Sequence, residues 1–366
     1  MRRLLRLVLV IFLIAIAWFY VEDKTEISLT KEISSFIKSE ELKNQIHSVY
    51  VAFQSMLAKL EEQFDQGESP GELENPVLEQ PEKNIFSVYN IELGTTKKEV
   101  EASMGEPKRV SMNEYEKNWS TYHEGFHNFI SVMYDEEDYV VGLYTNQDLI
   151  ASTVGVSLGS SIEEVRQQLG DPETGIRKGL VIFNVPKDAG YDVFYLNKSY
   201  VTVFYDIHED ETVTAIQIIE ENIEKAKMDY YGEASEELKQ GFEYQLFDMT
   251  NAARVVHNLP ILTWDDQVRE TARKHSSDMA ANNYFNHNNL RGQSPFDRLR
   301  EDHLVFTMAG ENLAYGQSSS IYAHEGLMNS MGHRENILQA GFTHLGVGVA
   351  FNSQNHPYYT ENFYTK

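Results

Sequence analysis

The residues of this chain best suited to chemistry are its histidines, since imidazole titrates near neutral pH and ligates metals when neutral. Eight of the twelve lie between His257 and His356. One of them opens the question of role. In the run HEGLMNSMGHRENILQAGFTHLGVGVAF (324–351), His333 stands between Gly332 and Arg334 where a helix is about to begin, and a glycine-studded strand follows. Ser330, three residues earlier, imitates a nucleophile beside its base, but Gly332 intervenes and no orienting acid is evident. Cysteine is absent throughout, which excludes thiol catalysis, disulfides and Cys-ligated zinc. His275 shares an apolar helical stripe with Val268, Ala272 and Met279, the setting of a hydrogen-bonded core residue. His123 and His127 have an i, i+4 spacing that could share a metal, yet nothing nearby completes an HExxH pattern, so they read as structural. The acidic turns at Asp135–Asp138 and His208–Glu211 lack the glycine and ligand spacing of an EF-hand loop and read as solvated hairpin tips.

These side chains must be positioned by helices and strands that the pattern reveals. Phe242, Leu246, Met249, Ala253 and Val256 form one stripe of an amphipathic helix that Asn258-Leu259-Pro260 ends. The helix bearing His275 follows. Leu345, Val347, Val349 and Phe351 alternate with Gly346, Gly348 and Ala350 in a strand, and HPYYTENFY completes a hairpin after a turn. Glycines on one face of that strand let another layer approach closely. Helices, strands and helices in this order predict an α+β sandwich over 234–366.

Upstream, IELGTTKKEVEASMGEP (91–107) recurs as VSLGSSIEEVRQQLGDP (156–172), offset by 65 residues. Thr96…Glu99 and Ser161…Glu164 have the form of capping boxes, so each copy starts a helix. Gly105 and Gly170, followed by Pro107 and Pro172, stop it. Two strands around an acidic turn follow each copy, at 129–145 and 200–219. The spacing therefore predicts a duplicated small α+β module over 85–228. Residues 65–84 hold three prolines, two glycines and many acids, the composition of a linker. Residues 25–64 have helical apolar spacing and read as a stalk. At 1–24, Arg2, Arg3 and Arg6 precede an uncharged apolar run from Leu7 to Val21, with Trp18, Phe19 and Tyr20 at its far end. That pattern predicts a single-pass membrane anchor with the bulk extracytoplasmic. Ala15-Ile16-Ala17 offers the alternative of a cleaved signal and secretion.

The chain has 366 residues, 31 basic and 56 acidic side chains, and a formal charge of −25. Such a surface repels phosphate backbones, which disfavours nucleic acid and tolerates divalent cations or polycations. The want of cysteine in an exported chain of this size favours a bacterial source.

NAARVVHNLPILTWDD, YFNHNNLRGQSPFDRL, AGENLAYG, MNSMGHRENIL, HLGVGVAF and YYTENF resemble, in order, the successive motifs of the CAP superfamily, whose domain is also called the SCP domain and which includes cysteine-rich secretory, antigen 5 and pathogenesis-related proteins. The resemblance covers about 240–366. The whole arrangement is similar to membrane-associated CAP proteins of Gram-positive, spore-forming bacteria, which carry a CAP-associated domain before the CAP domain. It implies an α-β-α sandwich with a cavity lined by two histidines and two acids, able in some members to hold a divalent metal. Carried over, His287 and Glu311 match the first histidine and first glutamate, and His333 the second histidine. Ser330 stands where the second glutamate is usual, and Glu325 lies nearby, five residues early. His287, Glu311 and His333 are thus the expected ligands of a divalent metal, zinc or magnesium. The competing expectation is a polar cluster that ties loops together, with Glu311-Asn312 capping a helix start and Arg334 pairing with an acid. The resemblance implies an extracytoplasmic module at the cell envelope that binds a lipid, peptide or cell-wall fragment. A metal-assisted hydrolase and an envelope scaffold or signalling protein are the alternatives.

Overall fold

Thr96 and Ser161 each start a short helix in the computed structural model, which describes residues 76–187 and 189–366. After β1 (Phe86–Val88), helix α1 spans Lys97–Met104, and its partner α2 spans Ile162–Leu169. In both, the cap hydroxyl accepts from the N–H of the glutamate three residues on, whose carboxylate accepts in return from the cap N–H. Gly105 and Gly170 end the helices at φ 75° and 88°, where a side chain would be strained.

Between and after the helices run β2 (Arg109–Met112), β3 (Asn118–Glu124), β4 (His127–Tyr134), β5 (Val140–Thr145), β6 (Ile150–Ser152), β7 (Gly175–Lys178), β8 (Val181–Asn184), β9 (Tyr191–Leu196), β10 (Ser199–Asp206) and β11 (Thr212–Glu220). Seven of them form one antiparallel sheet in the order β2-β3-β4-β5-β11-β10-β9. β5 and β11 meet at its centre, with Tyr144 opposite Gln217. Each of the hairpins β4–β5 and β10–β11 curls its tip onto a helix start: Thr96 bridges Tyr139, and Ser161 bridges Thr212. β1 pairs with β6, and β7 with β8, in two small separate sheets. One face of the large sheet buries Ile130, Val132, Leu143, Val201, Val203 and Ile216 with Val100 and Val165 of the two helices.

The other face buries Trp119, Phe129, Met133, Tyr144 and Phe204 together with Leu238, Phe242 and Leu246 of a later helix. After α3 (Glu221–Ala226), that helix, α4, runs Glu236–Val256, as its apolar stripe predicts. Val256 is exposed because the helix stops there. β12 (Thr263–Trp264) leads to α5 (Asp266–Asn282) and α6 (Pro295–Glu301). β13 (Met308–Tyr315), α7 (Ser320–Met328), α8 (Met331–Ile337), β14 (His344–Phe351) and β15 (Pro357–Thr365) complete the chain in the sheet order β12-β14-β15-β13. Gly346 and Gly348 face α5: a Cβ on either would stand 2.3 Å from Arg269 N or 2.1 Å from Arg273 N. Leu345, Val347 and Val349 point the opposite way, into the cluster around Phe242 and Leu246 of α4. The C-terminal sheet is thus sandwiched between helices, as expected. Glu311 and Asn312, expected at a helix start under the structural reading, lie inside strand β13 instead.

The expected membrane segment 1–24, the stalk 25–64 and linker residues 65–75 lie outside the described residues. Among the described residues no helix is long and apolar enough to cross a membrane. The end of the acidic stretch is fastened down: the Glu92 carboxylate accepts from the backbone N–H groups of Glu82, Lys83 and Asn84.

Candidate functional site

Glu311 lies mid-strand on β13, with its side chain almost wholly buried. A carboxylate so placed needs partners for both oxygens. His287, in the loop between α5 and α6, supplies one: its Nδ1 lies 2.9 Å from Oε1. Arg298 on α6 supplies the other, donating Nη2 to Oε2 at 2.5 Å. Arg298 also donates Nη1 to the backbone carbonyls of His287 at 2.7 Å and Gln293 at 3.1 Å, so one guanidinium fixes both the acid and the loop that carries the histidine. With Nδ1 engaged by Glu311, Nε2 is the ring nitrogen left for another partner, and the side chain is half-exposed.

His333 is the third residue of α8, a short helix held at its middle and at its C-terminal end. Arg334 donates to Asp206 at 2.7 Å and to Glu209 at 3.3 Å, both on the β10–β11 hairpin. At the C-terminal end, buried Arg254 donates Nη1 to the carbonyls of Ile337 (2.7 Å) and Gln339 (3.0 Å). A cation on the last carbonyls of a helix satisfies groups that have no intrahelical partner. The His333 carbonyl accepts from Asn312 Nδ2 at 3.1 Å, and Asn336 donates to Asn312 Oδ1 and to the Glu311 carbonyl. Gly310 makes room for this: a Cβ there would meet Asn336 Oδ1 at 2.9 Å. Burial, with the neighbouring charge of His287, lowers the His333 pKa, so the ring is neutral at physiological pH. Its buried Nδ1 has no hydrogen-bond partner.

Beneath them lies Glu361 on β15, opposite Asn312 in the sheet and fully buried. It accepts from Asn312 Nδ2 (3.1 Å) and Thr250 Oγ1 (3.2 Å), and burial raises its pKa to about 7.

The expected set is therefore placed as follows. His287 and Glu311 bind each other directly, and His333 is near enough to feel the charge of His287. Ser330 caps α8 without a side-chain hydrogen bond to the helix. Glu325 is elsewhere. Its carboxylate accepts from Tyr144 of the large sheet at 2.7 Å, and burial raises its pKa to about 7. Glu325 belongs to α7, which ends at Met328, whereas Ser330 caps α8, so the break between the two helices separates them. His287, Glu311 and His333 do not stand as a ready three-ligand centre, since one Glu311 oxygen faces His287 Nδ1 and the other Arg298. Among the described residues no group of three or more His, Asp or Glu side chains is arranged to hold a metal ion. Sequence reasoning missed Arg298, Asn312, Asn336 and Glu361. All four sit inside the quoted motifs, but nothing local marks which motif residue faces the site.

The other histidines behave as the spacing predicts. His275 is buried on α5 with Nε2 3.0 Å from the Asn286 carbonyl. His123 stacks on Phe126, and its Nδ1 accepts from the Phe126 N–H at 3.0 Å. Burial lowers its pKa to about 4.

Comparison with known proteins matches residues 93–230 to the CAP-associated N-terminal family and 247–363 to the cysteine-rich secretory protein family, CAP. The chain is 31% identical over 296 residues to the Bacillus subtilis membrane protein YlbC, covering 74% of this chain and 82% of that one. It is 40% identical over 107 residues to Bacillus subtilis YkwD, covering 29% of this chain and 42% of that protein. An extracellular SCP-domain protein from Bacillus anthracis superposes with TM-score 0.64 at 27% identity, over 75% of this chain and 94% of that one. A cysteine-rich secretory protein from Staphylococcus aureus superposes with TM-score 0.59 at 17% identity, over 78% and 98%, a likeness of fold.

Proposed function

The chain belongs to the cysteine-rich secretory protein (CAP) family, with a CAP-associated region before its CAP domain, and from that premise we propose that it is an extracytoplasmic ligand-binding module at the bacterial cell envelope. The supporting observation is a half-exposed imidazole, His287, whose Nδ1 is held by a buried, arginine-fixed carboxylate, which leaves Nε2 for a ligand, with His333 near enough to be influenced by its charge. A ring so held hydrogen-bonds a ligand without having to reorganise. Arg298 also reaches a cleft of about 440 Å³, lined by Lys274, His275, Asp278, Arg291 and Glu301, a size ordinary for small ligands. Charges of both signs on its wall suit a peptide or cell-wall fragment better than a bare lipid chain.

Binding is favoured over metal-assisted hydrolysis by the state of Glu311. Hydrolysis here would need it as ligand or general base, and it is engaged on both oxygens. Residues 1–24 would hold the module at the membrane as a single-pass anchor, or release it as a cleaved signal.

Thermal-shift titration of the full chain in detergent, against muropeptides, short peptides and lipids, tests this reading. The expected result is a rise in Tm with a polar cell-wall fragment or peptide that His287→Ala abolishes. That variant should lower the unliganded Tm, because a buried Glu311 oxygen loses its partner, so the ligand-induced rise is read against each protein's own baseline. A panel with no shift, or the accumulation of cleaved products, would defeat the reading.

A further inference from the structure

We propose that the β7–β8 hairpin is a membrane-touching element whose tip enters the surface of an anionic lipid bilayer. The hairpin stands apart from the seven-stranded sheet, paired only within itself, Ile176 with Phe183 and Lys178 with Val181. At its tip Leu180 is 100% exposed, Val181 52% and Ile182 49%, and beside it Met228 is 60% exposed. The Met228 methyl lies 3.8 Å from where a Cβ on Gly179 would stand, which puts it beside the turn, while Val181 and Ile182 take the two faces of the strand that follows. Exposed aliphatic residues scattered singly need no explanation, but three in succession at a projecting turn, with a fourth beside it, do.

One face of the hairpin is fastened to the rest of the protein up to the residue before the turn, so the position of Leu180 at the turn is fixed. Lys178 is buried and pairs with Glu224 at 2.5 Å, and Phe183 stacks on Tyr230 at 6.2 Å between ring centres. The charge of the hairpin segment itself runs against that of the molecule, with Glu173 and Asp188 standing immediately outside it in sequence. In a chain of net −25, the segment TGIRKGLVIFNVPK (174–187) holds three cations and no acid. With Lys178 internally paired, Arg177 and Lys187 remain exposed on the flanks. An apolar tip between exposed cations is complementary to hydrocarbon beneath anionic headgroups. A protein partner would need roughly 800 Å² of surface per side, far more than four side chains offer. The sequence places an apolar run at Leu7–Val21, so an anchored chain would keep this hairpin within reach of the bilayer. The proposal is independent of the His287 site.

The chain has no cysteine, so Leu180→Cys in the full-length protein accepts a single polarity-sensitive fluorophore. The label reports its own surroundings, whatever the N-terminus does. Vesicles of equal parts phosphatidylglycerol and phosphatidylcholine should shift its emission to the blue and raise it roughly twofold or more, as expected for transfer out of water. Brominated acyl chains should quench it. Combining Arg177→Glu with Lys187→Glu should remove the response. A label at Val305→Cys, 82% exposed on a loop of the C-terminal part, should stay in water. The proposal is overturned if the Leu180 label remains aqueous on anionic vesicles, responds equally on pure phosphatidylcholine, or shifts without vesicles through contact with a second copy. An equal response at Val305 would overturn it as well.

Discussion

Glu361 shows what one buried acid does to the energetics of the site. It is fully buried, its two hydrogen-bond donors are uncharged, and burial raises its pKa from 4.5 to about 7. An acid whose folded pKa is raised holds its proton longer in the folded state. Its contribution is therefore fully present below pH 4.5, falls as pH rises through the window from 4.5 to about 7, and is lost above it. Glu361→Gln keeps the shape and removes the charge, and the Thr250 hydroxyl can turn from donor to acceptor to meet the new amide. The variant should match the wild type near pH 4.5 and exceed it above pH 7 by on the order of 3 kcal/mol. Urea denaturation across that range measures the difference, and a gap independent of pH would refute the account. His287, Glu311 and His333 were legible because their motifs follow one another in order. Glu361 and Arg298 were not, since their roles depend on pairings 49 and 13 residues away that no local pattern encodes. Glu325 misled for a related reason: five residues in sequence span the break between α7 and α8, which no local pattern marks.

At the scale of elements, the glycine strand is where the pattern was most informative. Alternating Gly346 and Gly348 announced a close layer, although not which helix supplies it. That layer is α5, whose own apolar stripe buries Val268, Ala272, His275 and Met279. Because the nearest atoms are backbone, the helix cannot yield by turning a side chain. Gly348→Ala, with its Cβ 2.1 Å from Arg273 N, must push α5 outward and should destabilise by roughly 3 kcal/mol or more. Gly332, the residue before His333, is the contrasting case. It is helical, with nothing within 4 Å of a built Cβ, so Gly332→Ala should stabilise by about 0.5–1 kcal/mol. The midpoints of two denaturation curves decide the matter, and loss of stability at Gly332 would show that α8 is placed otherwise. The capping boxes were equally legible, because the S/T-x-x-E spacing is itself the hydrogen-bond geometry. The meeting of β5 with β11 was not, as strand partners far apart in sequence leave no periodic trace.

Over the whole molecule, the sequence suggests two separate folding units, one over 85–228 and one over 234–366, yet their contact is that of a shared core. Trp119, Met133, Tyr144 and Phe204 from the first lie in the same buried cluster as Phe242, Leu246 and Val347 from the second. The polar contacts across it are buried on at least one side. Arg109 pairs with Asp248 at 2.7 Å, Arg334 with Asp206 at 2.7 Å, and Tyr144 donates to Glu325. Gly241 of α4 lies so close to β2 that a Cβ would fall 2.0 Å from the Met112 carbonyl oxygen. Separating the two parts would expose this apolar surface and leave ion pairs such as Arg334–Asp206 without partners, so neither part has reason to unfold alone. The consequence reaches the site, because the Asp206 that holds Arg334 also sets the position of His333 on α8. Calorimetry of the described region, 76–366, should show one cooperative transition, with calorimetric and van't Hoff enthalpies equal. Asp206→Asn should lower that single Tm without splitting it, since the rest of the shared core remains. Two resolved transitions in the wild type would mean that the parts fold independently, and that the ion pair at Arg334 is a surface contact with no hold on His333.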